Sequence, residues 1–458
     1  MSGPAEISPR KHTFVDPATF TPHFSWKKSG IRAPHAESVA CEGVRLTDVA
    51  EKIGTPAYVY SRAAIDDAQQ ELHRGLGSLA HTLCFAVKSN GNLSILKHVA
   101  RGGNGFDIVS GGELAMLESI GVRGDRIVFS GVGKTREEMR EALRYRSAGK
   151  AGHRGILLFN VESEPELEIL LEESSRNVKR GGGVPAVSIR VNPDVQAGGH
   201  PHISTGRFEH KFGLNWEEAR RLYLAHRESK WIRWQGISVH IGSQIVTMDP
   251  FRRALRRLAR YVAELRKNGI VLKYLDFGGG LGVRYTHEKP PSREAYARMV
   301  ARMLRPLGLH LLLEPGRTIM GPAGVLLTGV IYVKESRGKT FVVVDAAMND
   351  LMRPALYGAV HPITKVTRDK RSASQRQRVD IVGPVCETGD CFLRDWPLDP
   401  VQTGDLLAIW VTGAYGMSQA SNYNARRRPP EVFVEGKRFR LIRRRESPSD
   451  LLRGQLRK

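Results

Sequence analysis

The stretch "TLCFAVKSN", residues 82–90, carries an ammonium out of an apolar run, delivering Lys88 and breaking at once into Ser-Asn-Gly-Asn. A lone lysine at a strand end commonly snorkels to water; the chemical alternative is an amine that holds a carbonyl cofactor covalently. Other residues bear on that choice. Gly278, Gly279 and Gly280 in "LDFGGG" would let backbone N–H groups approach an anion such as a phosphate, although a glycine triplet is equally a turn. Arg317 in "EPGR" offers a planar fork for phosphate or carboxylate. Glu314 on its own reads as a salt-bridge partner. Set against a pyridine nitrogen it would keep that ring protonated, and a protonated ring is the electron sink that carbanion chemistry at Cα demands. His240 is either structural or stacked on such a ring. Downstream, Arg353 and Tyr357 in "MNDLMRPALYGAVHPI" share a side if that stretch is helical. Cys386 and Glu387 adjoin in "GPVCETGDCF", and Tyr415 sits in "GAYGMSQASNYN". By residue type alone Cys386 would be an ordinary buried cysteine, and its spacing to Cys391 is wrong for a CxxC dithiol.

The elements that would position these residues form a regular series. "LCFAVK", "GFDIVS", "RIVFSGVGK", "GILLFNVES", "PAVSIRVNP", "QGISVHIGS", "LDFGGG" and "LHLLLEPG" read as eight strands, with amphipathic helical stretches between them. That alternation predicts an α/β fold with a (β/α)8 barrel, an open doubly wound sheet being the alternative. In a barrel the site lies at the C-terminal strand ends. Lys88 ends the first, Ser110 follows the second, Asn192 ends the fifth, His240 and Ser243 the sixth, the glycines the seventh and Glu314 the eighth, so all would converge on one mouth. After Pro322 strand-like runs such as "VLLTGVIYVKES" and "KTFVVVDAA" predict a second, mainly β domain. "TPAYVYS" at 55–61 is expected to join it. The expected organisation is an N-terminal segment 1–61 contributing strands to the β domain, a barrel at 62–320 and the β domain at 321–458. About the first 25 residues are expected to be loosely ordered.

The chain has 458 residues, 41% hydrophobic and 26% charged, an ordinary globular balance. No stretch is apolar enough to span a bilayer, and the N-terminus has no apolar signal core. Cys41, Cys84, Cys386 and Cys391 are too scattered for a disulfide framework, and no CxxC pair suggests a metal site, so a reducing cytoplasm is expected. The net charge of +23 raises nucleic acid as a partner. None of the common binding motifs is present, however. In "PFRRALRRLARYVAELRKNG" the residues Arg252, Arg253, Arg256, Arg257 and Arg260 recur at helical spacing opposite Leu255, Leu258 and Val262, the pattern of a solvated helix face.

Taken in order, "FAVKSN", "FDIVSGGE", "SIRVNP", "HIGSQI", "GGGLG", "EPGR", "RPALYGAVHPI", "GPVCETGD" and "GAYGMSQASNYNARRRPPEV" resemble the diaminopimelate decarboxylases, fold type III enzymes dependent on pyridoxal 5′-phosphate, from about residue 40 onward. The resemblance implies an alanine racemase-like barrel with a C-terminal β domain. It implies that Lys88 carries the cofactor, His240 stacks on its ring and Glu314 pairs with the ring nitrogen. Ser243, Gly279, Gly280, Gly316, Arg317 and Tyr415 would serve the phosphate or its surroundings. Arg317, Arg353 and Tyr357 would meet the substrate's distal carboxylate, Glu387 its amino group, with Tyr415 nearby. Cys386 and Glu387 would reach the site from the neighbouring subunit of a homodimer, with Cys386 or Lys88 returning a proton to Cα. Residues 196–214 would be a mobile lid, and desolvation with cationic surroundings would favour the free amine of Lys88. Ser89 departs from the family's common alanine without disturbing the lysine. The rival readings are a sibling decarboxylase for ornithine, arginine or a carboxylated polyamine, a racemase on the same barrel, and a non-catalytic regulator.

Overall fold

The computed structural model describes residues 12–28, 36–146, 155–195, 211–369 and 375–456; the expected lid falls mostly outside them. The described chain divides into two units. One takes the chain up to Asp67, Arg284–Glu288 and everything from Ile319; the other takes Ala68–Val283 and Lys289–Thr318.

The second unit is a closed barrel of eight parallel strands: His81–Ala86, Gly105–Ile108, Ile127–Phe129, Leu158–Val161, Ala186–Arg190, Arg233–Ser238, Tyr274–Asp276 and His310–Leu313. Each strand pairs with its neighbours in sequence, and the eighth closes on the first with Leu311 opposite His81. Every strand must therefore be followed by a helix that returns the chain, and side-chain caps start those helices at defined points. Asn92, Ser110, Thr135, Ser163, Asn215 and Ser292 each accept a hydrogen bond from an N–H of the first turn. Ser110, expected among the chemical residues, is such a cap. Cys84, Val128, Leu158, Ala186, Tyr274 and Leu312 fill one buried cluster. Toward the C-terminal ends the buried strand residues become polar: Asp107, Asn160, Ser188 and Asp276. The arginine-rich helix, Asp249–Lys267, buries Leu255, Leu258 and Val262 and exposes Arg252, Arg253, Arg256 and Arg260.

The other unit is mainly β. Strand Ala57–Ser61, the expected N-terminal contributor, is fully buried and central: it pairs antiparallel with Gly324–Ser336 and parallel with Glu431–Glu435. Strand Cys391–Leu398 and the hairpin Glu431–Glu435 with Arg438–Arg443 add to the same sheet, and neither is among the expected runs. Residues 12–25 also depart from expectation, since Val15, Pro17, Thr21 and Phe24 are buried and Trp26 Nε1 donates to Asp16 at 3.0 and 3.1 Å.

Candidate active site

The first barrel strand ends at Ala86 rather than at Lys88, which lies on a single 3-10 turn, Val87–Ser89. Ser89 Oγ donates to Ala86 O at 2.7 Å and Asn90 N to Val87 O at 3.0 Å, fixing that turn. The Lys88 ammonium donates to Asp107 Oδ2 of the second strand. Asp107 is completely buried, and its Oδ1 has no hydrogen-bond partner among the described residues. Glu113 also faces this group; burial pushes its carboxyl up to about 7. The surroundings of Lys88 are thus anionic, contrary to the cationic setting expected, because the second strand contributes an acid where its neighbours contribute apolar side chains.

Glu314 follows the eighth strand and is held from several sides. Ser130 Oγ donates to its Oε1 at 3.2 Å, and its backbone N donates to Gly278 O at 2.8 Å. Burial, with Asp107 and Asp276 adding negative charge, raises its carboxyl well above the usual range. The glycine turn stands beside it. Gly278 and Gly280 have φ of +64° and +104°, and a Cβ at Gly279 would sit 2.4 Å from Glu314 O, so side chains are excluded there. Gly279 N donates to His240 Nδ1 at 3.1 Å. Burial, with Arg190 and Lys88 nearby, holds the His240 imidazole well below its ordinary value and hence neutral. Arg317 donates to Ser243 Oγ from Nε at 3.3 Å and Nη2 at 3.2 Å, and Gly316 leaves room for Ser89. Lys88, His240, Ser243, Gly278–Gly280, Glu314, Gly316 and Arg317 therefore belong to the C-terminal strand ends of one barrel. Asn192, after the fifth strand, accepts from Asp194 N at Oδ1 at 2.9 Å, closing a local turn.

Around the same mouth stand groups that the sequence reading passed over. Arg190 pairs with buried Glu162 at 2.9 Å, and Glu162 Oε1 accepts from Gly131 N at 2.8 Å. Buried Lys134 donates to Glu166 at 2.7 Å and to the carbonyls of Gly131 and Asn160. A single acid or amide inside a three- or four-residue apolar strand is the signal that would have found Asp107, Asn160 and Asp276.

In the β unit Arg353 and Tyr357 do share a short helix, Arg353–Tyr357. The Arg353 guanidinium lies 5.6 Å and 5.7 Å from the Tyr285 and Tyr357 ring centres, and its Nε donates to His361 Nε2 at 3.2 Å. His361 Nδ1 donates in turn to Trp410 O at 2.9 Å, leaving Nε2 as an acceptor. Cys386 is exposed, against what its residue type suggests, and so is Glu387, whose carboxylate accepts a hydrogen bond from Tyr423 and holds that phenol above its usual value. Tyr415 adopts a left-handed backbone, φ +57°.

A family model for the pyridoxal-dependent decarboxylase pyridoxal binding domain matches residues 62–321. The diaminopimelate decarboxylase of Pseudomonas aeruginosa is 47% identical over 415 residues, 90% of this chain and 96% of that protein. The Neisseria meningitidis serogroup A enzyme of the same name is 45% identical over 416 residues, 91% and 98% of the two chains. Among solved structures, diaminopimelate decarboxylase from Helicobacter pylori complexed with L-lysine has a TM-score of 0.82 at 38% identity, covering 89% of this chain and 98% of that one. The M. jannaschii enzyme in co-complex with L-lysine has a TM-score of 0.84 at 34% identity, with 96% and 98% covered.

Proposed function

The chain belongs to the diaminopimelate decarboxylase family, and we therefore propose that it converts meso-2,6-diaminopimelate to L-lysine and CO2, the last step of lysine biosynthesis, with pyridoxal 5′-phosphate as cofactor. The observation that carries the reading is an amine, Lys88, set among strand ends that also hold a buried acid, Glu314, and a glycine turn with no room for side chains. The donor set fits the cofactor. It offers a primary amine for an aldehyde, a buried carboxyl for a ring nitrogen, glycine N–H groups and an arginine for a phosphate, and an unpartnered buried oxygen on Asp107 for a polar group of the ring.

Bound there, pyridoxal 5′-phosphate supplies the sink for the electron pair released when the Cα–carboxylate bond breaks. The chain's own residues do the rest. Lys88 must shed a proton before its nitrogen can act as a nucleophile, and Asp107, its hydrogen-bond partner, holds that nitrogen in place. Glu314 holds the ring nitrogen protonated. His240, neutral, packs on the ring without opposing its positive charge. Ser243, Gly279, Gly280, Gly316, Arg317 and Tyr415 serve the phosphate and its surroundings. Arg317, Arg353 and Tyr357 bind the distal carboxylate, and Glu387 the distal ammonium, with Tyr415 beside them. A substrate lacking those groups leaves the arginines and Glu387 unpaired, which is how the site rejects it. Cys386 Sγ, or Lys88 Nζ, delivers the proton to Cα after CO2 departs.

Cys386 and Glu387 act from a second subunit, so the working unit is a homodimer. Their exposure supports this, as does a group of exposed apolar residues on the loops and helices after the first three barrel strands: Leu93, Val109, Met116 and Val132. Four unpaired thiols fit a cytoplasmic setting. No helix among the described residues is long and apolar enough to cross a membrane.

The test is CO2 release from meso-diaminopimelate, L-ornithine and L-arginine in parallel, with added pyridoxal 5′-phosphate and chiral analysis of the products. Release from diaminopimelate alone, yielding L-lysine, is expected. Release from ornithine or arginine instead would keep Lys88 and discard the distal assignments.

A further inference from the structure

Asp276 ends the seventh barrel strand, is completely buried, and has no part in the roles assigned above. Both of its oxygens are engaged. Oδ1 accepts from Gly278 N at 2.9 Å, at the start of the glycine turn, and Oδ2 accepts from Asn160 Nδ2 at 2.7 Å. Asn160 Nδ2 also donates to Ser130 Oγ at 3.1 Å, and Ser130 Oγ donates to Glu314 Oε1 at 3.2 Å. The Glu314 carboxyl bonds back to Asp276 and closes the ring. Four side chains from four different barrel strands or their ends thus form one cycle, three of them, Asp276, Asn160 and Ser130, buried.

The directions within that cycle follow from the donor inventory. The amide of Asn160 has only N–H groups to offer its two partners, so Ser130 Oγ accepts there and gives its own hydrogen to Glu314. Asp276 already accepts at both oxygens. Two carboxylates in contact inside a protein cannot both ionise, as one negative charge repels the other in a medium that screens it poorly. The link between Glu314 and Asp276 therefore needs one proton and has room for one.

We propose that Asp276 is a positioning residue for the cofactor end of the site, sharing a single proton with Glu314 and anchoring the glycine turn with the same carboxylate. Before a protonated ring nitrogen faces the pair, the O–H bond is on Glu314 and Asp276 is the anion. When a protonated ring nitrogen faces Glu314, the proton crosses to Asp276: one O–H bond breaks, one forms, and the negative charge moves to the oxygen beside the ring with no change in the charge of the pair. The other charged groups around the pair are Asp107 and Lys88, which already bond to each other, and the buried Cys84 thiol is held protonated by the same acids. The cofactor clause of this proposal rests on the function inferred above; the shared proton does not.

The experiment uses Asp276→Asn, whose one carbonyl oxygen keeps the acceptor for Gly278 N, gives up the one for Asn160 Nδ2, and leaves Glu314 a neutral partner in place of an anion. Infrared spectra of the cofactor-free protein at pH 7, taken as differences between wild type and each variant so that Glu113 and Asp350 cancel, should show one protonated carboxyl band lost in Glu314→Gln and moved in frequency in Asp276→Asn, where burial keeps the Glu314 proton but its partner is no longer an anion. Thermal midpoints of the variants identify any that fails to fold, and Glu314→Gln then serves alone. A wild type without that protonated carboxyl, or a folded Asp276→Asn in which its band is unshifted, overturns the proposal. On adding pyridoxal 5′-phosphate the wild-type signal should stay at one proton but change frequency as its carrier changes. A signal that vanishes or stays unshifted overturns the transfer to Asp276. A wild type that carries the proton yet develops no visible absorbance with the cofactor overturns the cofactor clause together with the function, while the shared proton stands.

Discussion

Lys88 and Glu314 could be picked out from the sequence because each is a polar residue at the end of an apolar run, where the core has no use for it. Asp107, Asn160 and Asp276 matter as much to the geometry but lie inside strands of three or four residues. Runs that short show no alternation, so the lone polar residue in each is the one mark it leaves, and the pattern does not say whether that residue faces in or out. The setting of Lys88 was misread for the same reason, since the acid that reverses its surroundings comes from a neighbouring strand. Arg353 and Tyr357 share a side only if their stretch is helical, which it is, and the role of Arg353 is open to a direct test. A charge-assisted bond to a distal carboxylate is worth about 1.5–3 kcal/mol, so Arg353→Ala should raise KM for diaminopimelate by roughly 10- to 150-fold while kcat changes much less. Steady-state kinetics with an unaltered KM would remove Arg353 from the substrate's distal end. Arg353→Lys, which keeps the charge but loses the fork, should fall between the two.

The eight barrel strands were readable as elements because capped helices punctuate them at regular intervals. The β unit was less so. Cys391–Leu398 carries Pro397 and two charges, which hide it as a strand, and the N-terminal strands draw their partners from distant sequence. Between elements, ion pairs are informative where they are buried at one end. Glu173 on helix Glu164–Lys179 accepts from Arg140 and Arg136 of helix Arg136–Arg144 and from Arg176 of its own, and Arg140 first, then Arg136, hold its carboxyl down to about 2. A depressed carboxyl stabilises the fold above its unfolded value near 4.5 and loses that contribution as pH falls toward 2. The arginines are a third to a half exposed, so solvent screening reduces the effect to about 1–2 kcal/mol. Glu173→Gln should be less stable than wild type by that amount in urea unfolding at pH 7, with the gap narrowing at pH 3. A gap that is constant with pH would assign the loss to packing instead.

For the whole molecule, a site shared between subunits makes a quantitative forecast. Lys88→Ala would be inactive as a homodimer, and so would Cys386→Ala where its thiol delivers the proton; an active Cys386→Ala would leave that step to Lys88. Mixed and allowed to exchange, half the dimers pair one of each, and in those one of two sites has both native residues. About a quarter of wild-type CO2 release should return. No recovery, in a mixture shown by sedimentation to exchange subunits, would place Lys88 and Cys386 in one chain's site. The basic exterior, by contrast, finds no use in the site; its arginines face solvent or pair with surface acids. Strand Ala57–Ser61 carries a different consequence, for how the polypeptide is made. Both of its partners lie beyond the barrel, the first beginning at Gly324. At about 5–20 residues per second, a ribosome completes that first partner strand roughly 15–50 s after the apolar "AYVYS" is made. For that interval the nascent chain presents two unpaired edges of a strand destined for complete burial, which makes this pentapeptide the natural place for a chaperone to hold the chain.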